Sequence, residues 1–458
     1  MKILITGATG LVGSKLLEEL ALAGHDDMRV LSTNKVRAKE QICFPVEVFE
    51  WNPLKNSIED GALEGVDIIF HLAGESVADG RWSSERKKRI LDSRVNGTKL
   101  LLNEISKSST TPKKFISSSA VGIYGGDLSE KEIDSSAPHG NDFLAEVCQK
   151  WEESLFSNSI EGMSSHALRT GIVLSSKGGA LTKMLTPFKL GAGGVLGTGT
   201  QYMSWIHIND LVSAFIFIMN NDCKSNAYNG VAPTPVTNKV FTKVLGKVLS
   251  RPTISPVPSF VLKLIFGEMS EILLKGQRVI PKGLINEGFK FEFNDLSKAL
   301  EDILQYDKKG EVLFHRYQWI DSPIKDVFNF FKEAKNLEKI TPEYLNFKIL
   351  GMNTDNIQAG SLIDYKLQIH GVPVKWKTKI SEFEDGSYFV DEQLKGPYSK
   401  WVHKHSFFTH KSGTLISDRV VYKVPLGFLG SLFAGRFIKN DVNNIFKYRN
   451  KVINNFFN

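Results

Sequence analysis

The heptapeptide Gly7-Ala8-Thr9-Gly10-Leu11-Val12-Gly13 follows the apolar run Ile3 to Thr6 and opens a stretch of helical periodicity, Leu11 to Ala23. Glycines in this spacing allow a tight turn, a close approach of the backbone to a pyrophosphate, and close packing of helix on strand. The free N–H groups at the start of the helix then face the negative charge. We therefore predict dinucleotide binding, and the alternative is a glycine-rich turn with an empty site. The predicted contacts are Gly7, Thr9, Gly10, Leu11, Val12 and Gly13.

Strand and helix patterns alternate over the first 120 residues. Apolar runs predict further strands at 28–32, 46–50, 66–72 and 114–118, and the longest helical pattern runs from Glu85 to Lys107. This alternation is typical of a parallel, doubly wound sheet. We predict an α/β fold of the Rossmann type for this part of the chain.

The end of the second predicted strand bears on the choice of dinucleotide. An NAD site usually places an Asp or Glu there, which bonds the ribose 2′-hydroxyl. This chain instead reads LSTNKVR over residues 31–37, and no acid occurs before Glu40. The hydroxyl of Ser32 and the cations Lys35 and Arg37 suit a 2′-phosphate. We predict NADP as the cofactor, with NAD less favoured; the alternative is that Lys35 and Arg37 simply face water.

Two changes in sequence character divide the rest of the chain. Prolines around Ser250 punctuate a loop, and amphipathic segments follow at 260–274 and 296–304. The polar stretch Asp307 to Gly310 is the predicted linker. We expect three regions: a dinucleotide-binding domain over 1–249, a helical extension packed on it over 250–306, and a second domain over 311–458.

The last domain has the pattern of an antiparallel sheet combined with helices. Apolar and polar residues alternate over 363–370 and 374–380, which is typical of strands buried on one face. A short helix is predicted from Ile324 to Lys335 and a terminal helix from Asp441 to Phe457. We expect an α+β helix-grip fold, in which a curved sheet holds the terminal helix.

Composition excludes several classes of protein. The 458 residues are 42% hydrophobic and 23% charged, which is ordinary for globular domains. Three isolated cysteines argue against a disulfide framework or a zinc site, so no metal site is predicted and a reducing cytoplasm is expected. No signal peptide or transmembrane segment is predicted; the longest apolar candidate, Val424 to Gly435, holds three glycines in twelve residues.

Positive charge is concentrated in the last domain. The chain has a net charge of +7, and from Glu311 onward 21 Lys and Arg stand against 15 Asp and Glu. Such asymmetry favours an anionic ligand or surface, with a solvated basic face as the alternative. No nucleic-acid motif accompanies the charge, so no nucleic-acid partner is predicted. Weak contact of a Val424–Gly435 loop with a membrane surface is an open alternative.

Ordered motifs over residues 1–300 resemble those of the extended short-chain dehydrogenase/reductase family, of the sugar-nucleotide epimerase type. The motifs are GATGLVG at 7–13, HLAG at 71–74, SSSA at 117–120, LRTG at 168–171 and WIHIND at 205–210. The resemblance implies that HLAG follows the fourth strand and SSSA follows the fifth. Because the HLAG segment passes beside the cofactor in this family, the resemblance implies cofactor contacts from Leu72, Ala73 and Gly74.

The catalytic residues of that family are only partly present. Its members use an Asn, a Ser or Thr, a Tyr and a Lys; here Arg94 stands in place of the Asn, and Ser119 supplies the serine. The Tyr-xxx-Lys pair should fall within 143–148, which reads FLAEVC. This departure resembles the atypical branch of the family, often named as epimerases without a demonstrated reaction. The proton donor must then come from elsewhere, with Tyr124 the first candidate and Glu75 the second. The alternative for Tyr124 is a packing aromatic with a bonded hydroxyl.

Residues 311–458 resemble the START-like superfamily, also called SRPBCC or polyketide-cyclase-like. The resemblance rests on the order of elements, on WIDSPIKDVF at 319–328 and on VPLG at 424–427. It implies an apolar cavity between a curved sheet and a long helix. The dense aromatic residues of this domain are then either pocket wall or plain core. They are Phe328, Phe330, Phe331, Trp376, Phe383, Phe407, Phe408, Phe433 and Phe437.

Two main functional hypotheses follow. The first is an NADP-dependent oxidoreductase or epimerase-like enzyme that acts on a small-molecule substrate through Ser119 and Tyr124. The second is a non-catalytic protein that senses NADP(H) and binds a lipid or other hydrophobic ligand. A third, a lipid-handling protein at a membrane surface, rests on the basic last domain. A cavity lined by Ser119 and Tyr124 favours the enzyme, whereas a plug of apolar side chains favours the sensor. Neither the substrate nor the oligomeric state is predicted.

Overall fold

The computed structural model describes residues 1–126, 130–425 and 427–457, with the backbone alone for 427–429, 431–434 and 436. The chain divides into two units, residues 1–42 with 46–305 and residues 43–45 with 306–458. The first unit is built on a parallel sheet and the second on an antiparallel sheet, so the predicted fold classes are confirmed.

The first unit is an alternating arrangement of strands and helices. Its described strands are β1 (Ile3–Thr6), β2 (Met28–Ser32), β3 (Glu47–Asn52), β4 (Ser57–Ile58), β5 (Ile68–His71), β6 (Lys114–Ala120), β7 (Glu132–Ile133), β8 (Ser164–Thr170), β9 (Ile172–Leu174), β10 (Tyr202–Met203), β11 (Trp205–His207), β12 (Ala227–Gly230), β13 (Val236–Thr237) and β14 (Arg278–Val279). Its helices are α1 (Leu11–Leu22), α2 (Lys35–Gln41), α3 (Ser84–Lys107), α4 (Phe143–Phe156), α5 (Gly179–Lys189), α6 (Ile208–Asn220), α7 (Asn238–Leu249), α8 (Ser259–Phe266), α9 (Glu271–Leu274), α10 (Lys282–Asn286) and α11 (Leu296–Ile303). A further short helix, α12 (Gln305–Lys308), begins the passage into the second unit.

The main sheet of the first unit has the strand order β12-β8-β6-β5-β1-β2-β3-β4. All neighbours pair in parallel except β3 and β4. Every residue of β1 and β5 is buried, because helices cover both faces of a parallel sheet. The order reverses at β1, and the crevice at the carboxyl ends of the strands there is where such folds bind ligands.

The predicted strands are present with bounds shifted by up to two residues. One shift matters for the site: the fifth predicted strand continues to Ala120, so the SSSA motif lies inside β6 rather than after it. The segment 260–274 is not one helix, because Gly267 with φ of +61° separates α8 from a 3₁₀ turn at Gly267–Ser270. The predicted linker begins within α12.

The second unit is an antiparallel sheet combined with helices. Its described elements are β15 (Val312–Ile320), α13 (Ile324–Lys332), α14 (Asn336–Lys339), β16 (Lys348–Met352), β17 (Leu362–Ile369), β18 (Val372–Glu384), β19 (Tyr388–Lys395), β20 (Lys400–His410), β21 (Gly413–Lys423) and α15 (Gly427–Phe457). The strand order is β15-β21-β20-β19-β18-β17-β16. Buried Val442, Phe446 and Ile453 lie on α15, and Phe328 packs in the core with Ile453.

The loop predicted from Val424 to Gly435 is wrong from Gly427 onward, where α15 begins; Leu426 and the side chain of Phe433 lie outside the described residues. Each glycine costs a helix about 1 kcal/mol relative to alanine. Adding residues to an existing helix is nevertheless cooperative, and the packed C-terminal part of α15 supplies the nucleus. None of the helices in the described part of the chain combines the length and the apolar character that a membrane span needs.

Candidate functional site

The loop between β1 and α1 has the close backbone packing that its glycines predict. Gly7 has φ of +71°, and a Cβ there would stand 2.8 Å from the carbonyl oxygen of Leu72. A Cβ at Gly13 would stand 2.2 Å from the carbonyl oxygen of Gly7. Glycine is therefore required at both positions, and the loop packs directly on the end of β5.

The start of α1 is open to an anion. Gly10 is the N-cap without a capping side chain, and the first turn of the helix holds no acidic residue. The N–H groups of Leu11 and Val12 have no acceptor within the helix. Thr9 and Gly10 are exposed, and Leu11 and Val12 are half-buried. This geometry suits a pyrophosphate, and the individual contacts stay a prediction.

The residues predicted to read the 2′-phosphate lie at the end of β2 and the start of α2. Lys35 Nζ stands 2.6 and 2.9 Å from the two carboxylate oxygens of Glu59. The Ser32 hydroxyl donates to the carbonyl oxygen of Asn34 at 3.1 Å, and the Arg37 side chain is exposed. Sequence reasoning found no acid before Glu40 but missed Glu59, which follows β4. A 2′-phosphate would therefore compete with Glu59 for Lys35.

Thr6 fixes the HLAG segment beside this loop. Its hydroxyl accepts from the N–H groups of Leu72 at 3.1 Å and Ala73 at 3.2 Å, and it shares a hydrogen bond of 2.8 Å with His71 Nδ1. Burial, with the nearby charge of Arg94, lowers the pKa of His71 to about 3, so the imidazole is neutral near pH 7. The predicted contacts Leu72 and Ala73 are thus held by the first strand.

Arg94, which replaces the family asparagine, ties α3 to the same segment. Its Nη1 donates to the backbone oxygens of Glu75 at 3.0 Å and Ile90 at 2.9 Å. The guanidinium stands over the Trp151 ring, 5.1 Å from its centroid. A Cβ at Gly74 would stand 3.2 Å from the Arg94 guanidinium carbon, so a larger residue there would require the arginine to shift slightly.

The two predicted catalytic residues belong to one buried polar network. The Ser119 hydroxyl donates to Glu152 Oε1 at 2.6 Å. Arg169 holds the same carboxylate through Nε at 2.9 Å and Nη2 at 2.7 Å. Its Nη1 also donates to the Tyr124 hydroxyl at 2.9 Å, and that hydroxyl donates to Asn229 Oδ1 at 2.6 Å. The five side chains are buried and join β6, α4, β8 and β12.

The network gives Tyr124 a bonded hydroxyl. Burial raises the pKa of the Tyr124 phenol, although Arg169 opposes the shift, so the phenol stays protonated near neutral pH. The catalytic roles of Ser119 and Tyr124 stay a prediction. Glu75, the second candidate donor, is 38% exposed and accepts from Arg86 Nη1 at 3.0 Å.

A cavity of about 140 Å³ lies in the first unit. The described residues that line it include Trp82, Gly122, Asp142, Phe143, Tyr202 and Lys275. Neither Ser119 nor Tyr124 is among them. The enzyme hypothesis expects a cavity lined by Ser119 and Tyr124, and this 140 Å³ cavity is not lined by either residue.

The second unit contains a larger cavity, of about 470 Å³. Residues from α13, α14, the strands β17 to β20 and α15 line it. The aromatic residues predicted for a pocket or a core fall into three groups. Phe330, Phe331 and Trp376 line the cavity. Phe328 and Phe407 pack in the core and Phe383 packs against it, whereas Phe408 and Phe437 are exposed. The apolar cavity expected from the resemblance is present.

One part of this cavity wall is polar, and sequence reasoning missed it. Asp391, His403, His405 and Arg449 line the cavity. Burial alone would raise the pKa of Asp418, but Arg449 and the two histidines hold it well below its usual range. The sequence signal that could have revealed this polar wall is the run His403-Lys404-His405, because residues two apart in a strand share a face.

Comparison with known proteins covers both units. Residues 3–229 match the NAD dependent epimerase/dehydratase family, residues 257–303 match Domain of unknown function (DUF1731), and residues 320–447 match the family Polyketide cyclase / dehydrase and lipid transport. These matches confirm the two resemblances that the motifs indicate: an atypical member of the epimerase-type short-chain dehydrogenase/reductase family, followed by a START-like, polyketide-cyclase-like domain.

The relatives named as epimerase family proteins align with the first unit. Epimerase family protein YfhF of Bacillus subtilis (strain 168) is 37% identical over 304 residues, which are 66% of this chain and 98% of the relative. Epimerase family protein SDR39U1 homolog, chloroplastic, of Arabidopsis thaliana is 38% identical over 67% of this chain and 87% of the relative.

A solved structure shares this fold. The crystal structure of human epimerase family protein SDR39U1 (isoform 2) with NADPH has a TM-score of 0.60 and 32% identity, covering 67% of this chain and 99% of that chain. The glycine loop, the HLAG segment and these relatives together show that the chain belongs to the NAD-dependent epimerase/dehydratase family. It also carries a C-terminal domain of the polyketide cyclase and lipid transport family.

Proposed function

We propose that this protein binds NADP(H) in its first unit and a small apolar ligand in its second. The observation that carries the proposal is the state of the two candidate catalytic hydroxyls: Ser119 and Tyr124 are both bonded within a buried network. A binding role needs neither of them to be free. Cytoplasmic location is part of this proposal, supported by three cysteines that form no disulfide.

The choice of NADP(H) rests on charge at the end of β2. Lys35 and Arg37 supply two cations there, and Glu59 is already paired with Lys35. The similarity to a human protein solved with NADPH supports the same choice. Calorimetric titration of the full chain with NADPH and NADH tests it, and equal affinities would contradict the proposal.

The choice of an apolar ligand rests on the 470 Å³ cavity of the second unit. Volumes of roughly 300–1,000 Å³ are typical of small-molecule sites. Anilinonaphthalene sulfonate, a fluorescent apolar probe, should bind the full chain saturably. Ile363→Trp, which adds an indole at a buried lining position, should abolish that binding.

The control for this test is a tryptophan on the neighbouring strand. Leu350 of β16 is 56% exposed, so Leu350→Trp adds the same side chain outside the cavity and should leave probe binding unchanged. Equal loss in both variants, with melting curves unchanged, would show that the probe binds elsewhere and would refute the cavity assignment.

A second candidate function, an NADP(H)-dependent oxidoreductase or epimerase, is favoured by the 140 Å³ cavity of the first unit, which Tyr202 and Asp142 line. The predicted catalytic roles of Ser119 and Tyr124 belong to this candidate. Oxidation of NADPH in the presence of carbonyl compounds tests it. Turnover that Tyr124→Phe abolishes, with NADPH binding retained, would favour the enzyme over the binding protein.

A further inference from the structure

The polar wall of the larger cavity is assembled by strand register. His403 and His405 lie two residues apart on β20 and so share a face. Asp391 of β19 is paired directly with His403, and Asp418 of β21 is paired directly with His405. Two carboxylates and two imidazoles are thereby brought together on one face of three neighbouring strands.

Each imidazole spans both carboxylates. Asp418 Oδ1 stands 3.0 Å from His403 Nε2 and 2.9 Å from His405 Nδ1. Asp391 Oδ2 stands 3.3 Å from His403 Nδ1 and 3.1 Å from His405 Nε2. The two rings themselves are in contact, with centroids 3.7 Å apart.

Neutral imidazoles cannot satisfy this arrangement. Each carries one N–H and can donate to one carboxylate only, so its second nitrogen presents a lone pair to the other. When both rings donate to Asp418, His403 Nδ1, His405 Nε2 and Asp391 Oδ2 are three acceptors facing one another. Three converging acceptors need either an additional proton on one of the rings or a cation between them.

The spacing of these atoms fits a metal ion. Zinc stands about 2.0–2.2 Å from imidazole nitrogen and carboxylate oxygen, so two such ligands at tetrahedral angles lie roughly 3.3 Å apart. The measured separations from Asp391 Oδ2, 3.3 and 3.1 Å, match that value. One donor atom from each of the three residues lies within 4.8 Å of the others.

Asp418 and Arg449 complete the surroundings that metal-binding histidines usually have. Such histidines donate their second ring N–H to a carboxylate, which sets the tautomer and the ring orientation. Asp418 reaches both rings, and Arg449 Nη2 lies 3.9 Å from Asp418 Oδ1 and 3.4 Å from His405 Nδ1. The arginine thus neutralises the outer carboxylate, and the charge of Asp391 remains for the ion.

We propose that Asp391, His403 and His405 bind a divalent transition metal ion, zinc above all, in the wall of the larger cavity. All three residues line that cavity. An oxygen donor on a ligand in the cavity could therefore complete the coordination of the ion. The site is independent of the nucleotide-binding unit, and it requires only that the cavity be present.

The test is metal binding by the full chain after treatment with a chelator. Titration with Co²⁺ should show one ion per chain, with the intense visible absorption of a four-coordinate site, and Zn²⁺ should displace it. Asp391→Asn and His403→Asn should abolish this absorption. Asp418→Asn keeps all three ligands and should weaken binding roughly 10- to 100-fold.

His370→Asn is the matched control. His370 also lines the cavity and pairs with a carboxylate, Asp441, at 2.8 Å, but among the described residues it belongs to no group of three metal-ligating side chains. The His370→Asn variant should bind Co²⁺ with the same affinity as the unmodified chain. Circular dichroism would show which variants fold.

Should the ligand variants fail to fold, the unmodified protein still decides the matter. Bound Co²⁺ should shift the ring-proton resonances of two histidines far outside the normal proton range. The absence of saturable Co²⁺ and Zn²⁺ binding, or binding unchanged in a folded His403→Asn variant, would overturn the proposal and leave the cluster as a proton-bonded network.

Discussion

The two units each bury a cluster of charged and polar side chains, and the clusters differ in what they face. In the first unit Glu152 and Arg169 join Ser119, Tyr124 and Asn229, and none of these five is among the described residues that line the 140 Å³ cavity. In the second unit the Asp391–His403–His405 cluster forms part of a cavity wall, and Arg449 Nε is buried there without a hydrogen-bond partner among the described residues.

This difference separates polar groups that hold a fold together from polar groups that can meet a ligand. A buried network in which each group has a partner fixes the elements it joins, and removing one member leaves the others unpaired. A buried group without a partner is instead costly unless something supplies the missing bond. We therefore expect the first cluster to act through stability, whereas the second lines a cavity and can meet the ion proposed for it.

The largest expected effect tests the closed network. Glu152→Gln removes the charge that Arg169 contacts at 2.7 Å while both side chains are less than a tenth exposed. Breaking a buried ion pair leaves an uncompensated charge, so we expect the free energy of unfolding to fall by about 3–5 kcal/mol. Urea denaturation of the full chain measures it.

The control lies on the same helix. Glu146 pairs with Lys150 at 2.6 Å, but both side chains are about half exposed. Glu146→Gln should therefore change the stability by only about 0.3–0.5 kcal/mol. Similar losses in the two variants would show that the network around Glu152 does not stabilise the fold more than a surface pair does.

Local patterns predicted the parts of the molecule that local contacts build. The glycine loop at 7–13 was predictable because its turn and its helix start lie within seven residues. The partners of the predicted catalytic residues were not. Glu152 lies 33 residues from Ser119, and Asn229 lies 105 residues from Tyr124. These bonds depend on which strands become neighbours, and periodicity does not report that.

The cavity cluster was predictable only in part, for the same reason. The spacing of His403 and His405 places both on one face of a strand. The carboxylates opposite them depend on the register of two hairpins, β19 with β20 and β20 with β21. A shift of one residue in either register would turn an aspartate to the other face.

Like the cavity cluster, the glycine loop at 7–13 can meet a ligand. A side chain added at its surface should therefore weaken nucleotide binding and leave the stability of the fold nearly unchanged. Gly10→Val places its Cβ 3.2 Å from the Gly7 oxygen, which demands a small shift only. The side chain blocks the approach of a pyrophosphate. Two lost charge-assisted hydrogen bonds, at about 1.5–3 kcal/mol each, would weaken NADPH binding roughly a hundredfold or more.

Calorimetry beside a melting curve separates binding from stability. Gly351 has open space around its Cβ position and a backbone that accepts side chains, so Gly351→Val controls for a valine as such. Retained NADPH binding by Gly10→Val would mean that the loop is a turn without a cofactor.

A smaller effect concerns the 2′-phosphate alone. Lys35→Ala with Arg37→Ala removes both cations at the end of β2. A charge-assisted phosphate contact is worth about 1.5–3 kcal/mol, so NADPH binding should weaken roughly tenfold or more. NADH lacks the phosphate and should bind as before. Equal weakening of both dinucleotides would contradict the assignment.

The smallest expected effect concerns Glu59, the acid that sequence reasoning missed. It holds Lys35 at 2.6 Å, and the pair is about one-third exposed. An exposed ion pair of this kind contributes little free energy, so the effect of releasing it is small. Glu59→Gln should therefore tighten NADPH binding by roughly 1.5- to 5-fold, because Lys35 no longer has to leave a carboxylate to reach the phosphate.

Three further measurements test whether this small gain in NADPH affinity acts through Lys35 and the 2′-phosphate. The gain should vanish in the Lys35→Ala background, because the two side chains act through each other. It should shrink at high salt, because salt screens an exposed pair. NADH binding should not change. If Glu59→Gln instead weakens NADH, then Glu59 is the acid that bonds a ribose 2′-hydroxyl, and the preference for NADP would be wrong although no acid lies between Leu31 and Glu40 in the sequence.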